Sequence, residues 1–136
     1  MAGSPIKPWW RRWFGTRSER AVARYLRSRG HRIVARNWSC SLGELDLVTL
    51  DGGCLVFVEV RSTEDADVQR PAQTVREAKQ HRLTRVALAF MQRHRLLDRL
   101  ARFDVVAVSW PAGNRDPAIQ HHVNAFPAVG QFQMHS

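Results

Sequence analysis

The sequence predicts a single α/β domain with a mixed sheet and the element order α-β-β-β-α-β-β. Three observations carry that prediction. Two β-branched, strongly apolar runs, Glu44 to Leu50 and Leu55 to Arg61, flank Asp51-Gly52-Gly53-Cys54. Gly-Gly between such runs signals a tight hairpin, because its turn needs φ > 0. Capping boxes at Thr16-x-x-Glu19 and Thr74-x-x-Glu77 mark two helix starts. A strand on either side of the second helix requires a crossover, which favours a parallel pair with right-handed topology.

The first helix opens at Thr16 and closes at Gly30 after a basic last turn. Its apolar stripe is Val22, Ala23 and Leu26, with Glu19 three residues before Val22 on the same stripe. Two readings of Glu19 stand level: an acid facing the sheet, or a third-position cap residue that needs no chemistry. His31 to Trp38 forms a strand around Ile33 and Val34 that ends at Asn37, and hairpin strands follow at 44–50 and 54–61. After a polar loop, Ser62 to Gln73, the second helix carries Val75, Leu83, Val86, Ala87 and Phe90 on its inner stripe and ends near His94 to Leu97. Phe103 to Trp110 is a further strand, and Ala118 to Val123 a weaker edge strand. The chain divides into a basic aromatic arm (1–14), the domain (15–126) and a C-terminal tail (127–136) without periodicity.

With Gly52-Gly53 as the turn, Asp46 falls opposite Glu59 and Glu44 opposite Arg61. Directly opposed side chains in an antiparallel pair have Cβ atoms about 4.5–5.5 Å apart, so like charges there repel. A divalent cation between Asp46 and Glu59 offsets that repulsion, and Mg²⁺ suits one or two carboxylates completed by water and phosphate oxygens. Alternation puts Glu44, Asp46, Glu59 and Arg61 on one face at the end away from the turn, with Val48, Leu50, Leu55 and Phe57 continuing it as core. A bulge would break this register. The bland alternative is an exposed charged strand end with a Glu44–Arg61 ion pair. The crossover returns the second helix to the same end, so Lys79 either points toward the carboxylates or is a solvated, snorkelling lysine.

The chain has 136 residues, enough for one sizeable core, and a net charge of +9 from 21 Lys plus Arg against 12 Asp plus Glu. Arg dominates and pairs bidentately with phosphate, so the expected partner is a polyanion, nucleic acid above all. Cys40 and Cys54 form no CxxC and have no His at zinc-ligand spacing, which argues against a zinc site or a disulfide framework. His31, His81, His94, His121, His122 and His135 show no ligand spacing and are read as surface or ordinary structural residues. No run approaches the roughly 18 apolar residues of a membrane span, and the N-terminus lacks a secretory h-region, so a cytoplasmic protein is expected. The arm Lys7-Pro-Trp-Trp-Arg-Arg-Trp-Phe14 fits a stacking arm for nucleic acid, an interfacial anchor, or, by default, a tail folded back on the domain.

An N-terminal helix with an inward Glu, an Asp on one strand and Glu-x-Lys/Arg on the next resembles the PD-(D/E)xK nuclease superfamily. More closely, the chain resembles the YraN-like family of small bacterial proteins, with a restriction-endonuclease-like fold similar to archaeal Holliday-junction resolvases. The matching stretches are Gly15-x-x-x-Glu19-x-x-Ala-x-x-Tyr-Leu26, Arg36-Asn-Trp38, Gly43-Glu-Leu-Asp-Leu-Val48, Val56-Phe-Val-Glu-Val-Arg61, Arg102-Phe-Asp-Val-Val106 and Asn124-Ala-Phe126. This resemblance implies Asp46 and Glu59 as carboxylates for Mg²⁺ or Mn²⁺, the Val60 carbonyl as a further ligand, and Glu19 as a supporting acid. It also implies metal-dependent phosphodiester hydrolysis, with DNA ahead of RNA as substrate and branched DNA among the candidates. Nucleases that cut two strands symmetrically often pair, so a homodimer is compatible with it.

Two positions depart from the pattern. Ser18 stands where the family usually has Gly, and Arg61 takes the place of the motif lysine. Arg stays protonated, so Arg61 can hold a phosphate or position a water but is a poor general base. That departure keeps a non-catalytic nucleic-acid-binding module as the alternative, with a protein-interaction domain behind it.

Overall fold

The computed structural model describes residues 16–62, 75–111 and 116–128. Both halves of the first predicted capping box form at the start of α1 (Arg17–Ser28). Thr16 Oγ1 accepts from the Glu19 amide at 3.0 Å, and the Thr16 amide donates to Glu19 Oε1 at 3.1 Å. At the other end Gly30, at φ +93°, reverses the chain so that the His31 amide reaches the Leu26 carbonyl at 2.9 Å.

Five strands follow in sequence order across one sheet: β1 (Arg32–Cys40), β2 (Gly43–Asp51), β3 (Cys54–Ser62), β4 (Leu100–Ser109) and β5 (Ala118–Phe126). Only β3 and β4 run parallel, and they are joined through α2 (Glu77–Arg93), as the crossover argument requires. The order is the predicted α-β-β-β-α-β-β, a restriction-endonuclease-like α/β fold. The hairpin also pairs as predicted close to its turn, from Leu47↔Val58 through Asp51↔Cys54.

Each helix covers one face. Val22, Ala23 and Leu26 of α1 pack on Leu47, Val56, Val58, Val106 and Val108. Leu83, Val86, Ala87 and Phe90 of α2 pack on Leu45, Val48, Leu55, Phe57 and Phe103. Each fully buried side chain of this size contributes about 1.5–3 kcal/mol, so both faces are firmly held.

Four boundaries differ from the sequence reading. β1 continues through Asn37 to Cys40, because Asn37 absorbs a left-handed φ of +50° without leaving the strand. α2 starts at Glu77 with Arg76 as N-cap and no side-chain cap; Thr74 lies outside the described residues, as do the aromatic arm and most of the 62–73 loop. β4 starts earlier, at Leu100, and β5 reaches Phe126, whose ring stacks on Phe103 at 4.7 Å between centroids. β1 and β5 are the outer strands, and each has a register shift, at Ile33/Ala35 in β1 and opposite Phe103/Val105 in β5.

The candidate metal centre and its cleft

The predicted alternation fails at the residue it was meant to place. Leu45 and Val48, three residues apart, both join the α2 face, while Leu47 between them joins the α1 face. An extra half-step therefore falls at Asp46, which lines a small cavity with Glu59, Phe57, Leu83 and Phe103. The β2–β3 ladder stops at Leu47↔Val58, so neither Asp46 with Glu59 nor Glu44 with Arg61 continues it. Asp46 instead turns along the gap between the strands, where its Oδ2 accepts from the Val60 amide at 3.0 Å.

Glu59 continues the Leu55–Phe57 alternation onto the α2 face and keeps only 10% of its side chain exposed. Lys79 meets it there, with Nζ donating to Glu59 Oε2. Of the two readings of Lys79, the side chain at the carboxylates is the one observed. Because α2 starts at Glu77, Lys79 lies in its first turn, and helical side chains lean toward the N-terminus, here the carboxylate end of the sheet.

Around this ion pair lies a cleft of about 380 Å³ lined by Glu59, Arg61, Val75, Arg76, Lys79 and Arg82. Three arginines and a lysine thus share the cleft lining with one carboxylate. Arg82 reaches the cleft across Gly43: an added Cβ at Gly43 would sit 3.6 Å from Arg82 Cγ and 3.1 Å from Val86 Cγ2. The Gly of Gly-Glu-Leu-Asp-Leu therefore lets α2 approach β2 closely.

Glu19 lies at the same end of the sheet on the opposite face. Ser18 Oγ accepts from Trp110 Nε1 at 3.0 Å just past β4, and the Arg17 guanidinium lies 3.7 Å from the Trp110 ring centroid. Glu19 is buried and closes the capping box, as the cap reading expects. Among the described residues no three Asp, Glu, His or Cys side chains form a group able to hold a metal, so Glu19 does not share a cluster with Asp46 and Glu59.

A second polar cluster, under α1 on the opposite face of the sheet, escapes a reading of the sequence. Fully buried Asp104 receives Arg102 Nε at 2.9 Å, His121 Nε2 at 2.7 Å and the Asn124 amide at 2.9 Å. Burial alone would raise its carboxyl, but the bonds from His121, Arg102 and Asn124 outweigh it and hold the group below the ordinary carboxylate range. Arg102 also reaches Asp51 at 3.0 Å, and His121 Nδ1 lies 3.2 Å from the Tyr25 hydroxyl. His31, bonded to Thr49 Oγ1 at 2.8 Å, is pushed below its ordinary value mainly by burial. His31 and His121 are thus structural, tying α1, β2, β4 and β5 together through contacts between residues too far apart in sequence for spacing to reveal.

A helix on each face of a mixed five-stranded sheet, with Asp and Glu at the splayed end of a hairpin, defines a restriction-endonuclease-like domain. The family profile described as "Uncharacterised protein family UPF0102" matches residues 18–108. The chain belongs to the UPF0102, or YraN-like, family. A UPF0102 protein of Rhodopirellula baltica is 42% identical over 119 residues, covering 85% of this chain and 71% of the relative. One from Pelotomaculum thermopropionicum is 39% identical, covering 85% and 97%, and one from an Arthrobacter strain 44% identical, covering 79% and 90%. No helix among the described residues is long and apolar enough to cross a membrane.

Proposed function

We propose that this protein hydrolyses phosphodiester bonds in nucleic acid, with DNA the favoured substrate, using a divalent cation at Asp46 and Glu59. The observation that carries the reading is the contact of Lys79 with Glu59. Arg61 occupies the motif's lysine position, and α2 delivers a lysine to the same carboxylate from another element. The donor set fits a hard cation: two carboxylates from adjacent strands, with the Val60 carbonyl beside the amide that holds Asp46. Bound there, Mg²⁺ or Mn²⁺ would polarise a phosphoryl oxygen and acidify a water.

The chain's own residues supply the rest. Arg61, Arg76 and Arg82 line the cleft beside Glu59 and neutralise a phosphodiester backbone entering it. Lys79, a compact ammonium with three rotatable donors beside Glu59, can orient the attacking water and offset the charge that develops on the phosphate.

The same contact favours a second reading. Lys79 already neutralises Glu59 without any cation, which suits a domain that binds nucleic acid and does not cut it. Cleavage of labelled single-stranded, duplex and four-way-junction DNA and a structured RNA, with Mg²⁺, Mn²⁺ or EDTA, separates the two. Metal-dependent cutting that disappears in both Asp46→Ala and Glu59→Ala supports hydrolysis. Salt-sensitive binding without cutting in any metal supports the binding module.

A further inference from the structure

Asp46 owes its direction to a residue on another strand. In the β1–β2 ladder Arg36 pairs with Leu47 and Trp38 with Leu45, so Asn37 lies opposite Asp46 at the one position the ladder skips between Ala35 and Cys40. Asn37 is at φ +50°, a conformation uncommon for non-glycine residues and one that Asn tolerates better than most. The half-step at Asp46 has its counterpart on β1: Ala35 and Trp38, three residues apart, both pack on the α2 face. Both strands change phase together, at Asn37 and Asp46.

Asn37 also keeps Oδ1 buried with no hydrogen-bond partner among the described residues. A buried acceptor without a donor and a left-handed non-glycine backbone are two departures that native structures seldom retain without a use. Among the described residues the device recurs in β5. Asn124, at φ +53°, lies in the stretch of β5 where the β4 register shifts, and its amide bonds to the carboxylate of Asp104.

We propose that Asn37 is the positioning residue for Asp46: its left-handed backbone forces the shared phase change that turns the Asp46 carboxylate into the gap between β2 and β3, onto the Val60 amide. The inference rests on the reading of Asp46 as a site carboxylate. It concerns the backbone at Asn37, so glycine can keep the function and a β-branched residue cannot.

Hydrogen exchange on the full-length protein tests it without reference to activity. In Asn37→Val, protection of the Val60 amide should fall about tenfold or more while Val56 and Phe57 keep theirs. Asn37→Gly should retain protection at Val60. Mn²⁺ affinity measured by calorimetry should follow the same order, with a loss of about 10–100-fold in Asn37→Val and little in Asn37→Gly. If Asn37→Val fails to fold, Asn37→Ala makes the same comparison with less strain. Unchanged Val60 protection in folded Asn37→Val or Asn37→Ala would overturn the proposal, as would an equal loss in Asn37→Gly. A wild-type protein without affinity for Mn²⁺ would count against the metal reading instead, and the exchange comparison would still decide the role of Asn37.

Discussion

Lys79 of α2 and Glu59 of β3, twenty residues apart in the chain, form an ion pair in which the Glu59 side chain is nearly buried and the Lys79 side chain is 43% exposed. The exposed partner can be exchanged for a ligand while the buried one stays fixed, an arrangement suited to a site and of little use as a brace. If Lys79 performs the work of the absent motif lysine, Lys79→Ala lowers metal-dependent cleavage by about 10²-fold or more, with KM changing little. Lys79→Arg fails to restore it fully, because a planar, bulkier guanidinium does not reproduce the position and donor geometry of a compact ammonium at Glu59. Single-turnover rates check this, and full activity in Lys79→Arg would show that positive charge alone suffices at this position.

The arginines of the cleft should reveal themselves through salt. Arg61→Ala, Arg76→Ala and Arg82→Ala each weaken nucleic-acid binding and reduce the slope of log K against log salt by about 1 for each phosphate that is no longer neutralised. Fluorescence anisotropy titrations at several salt concentrations measure the slope. Three unchanged slopes would move the binding surface elsewhere.

Gly43 is at φ +148°, and a Cβ there would lie 3.1 Å from Val86 Cγ2. Gly43→Ala therefore has to push α2 away from β2, and destabilisation by about 1–3 kcal/mol is expected. Arg82 crosses the same point, so the variant should also lose part of the Arg82 contribution to binding. A double-mutant cycle between the two positions reads that coupling directly.

Asp104 accepts four hydrogen bonds at full burial. Replacing it with Asn leaves Arg102 short of its counter-charge and should cost about 3–5 kcal/mol, measured by urea unfolding. Nucleic-acid binding per folded molecule should stay unchanged, since this cluster lies under α1, on the face of the sheet opposite the Lys79–Glu59 cleft.

Acid should lower the stability of the protein over two separate pH windows. The folded His31 pKa is depressed chiefly by burial, so its stabilising contribution is complete above the unfolded value of about 6.5 and falls away below it. The Asp104 pKa is also depressed, so its contribution is intact above about 3.9 and is lost as pH drops through the lower folded value. Urea midpoints between pH 8 and pH 3 check both windows (roughly the range these groups span). His31→Gln should remove the first loss and leave the second.

The sequence makes the frame legible and hides the aim of one residue. Gly52-Gly53 sets the hairpin register, and the strand–helix–strand order sets the parallel pair, because turn geometry and crossover length leave few alternatives. The phase change at Asp46 is invisible because apolar residues occupy both faces of β2: Leu45, Leu47 and Val48 fit either alternation, and nothing in their order marks a half-step. Asn37 is the available signal, a residue that tolerates left-handed backbone, although in the sequence it resembles the end of a strand. Lys79 stands between two readings because Thr74-x-x-Glu77 suggests an earlier helix start; from Glu77 onward its direction follows.

The crooked outer strands have a consequence for life at high concentration. A straight exposed strand is a template on which another chain can add its own, and sheets that present one tend to polymerise. Here β1 offers a shift between Ile33 and Ala35, a left-handed Asn37, and exposed Arg32 and Arg36, while β5 kinks at Asn124. An incoming strand would meet a broken row of backbone partners on either side, and on β1 like charge as well. The left-handed turn at Asn37 therefore also leaves β1 a poor template for an added strand.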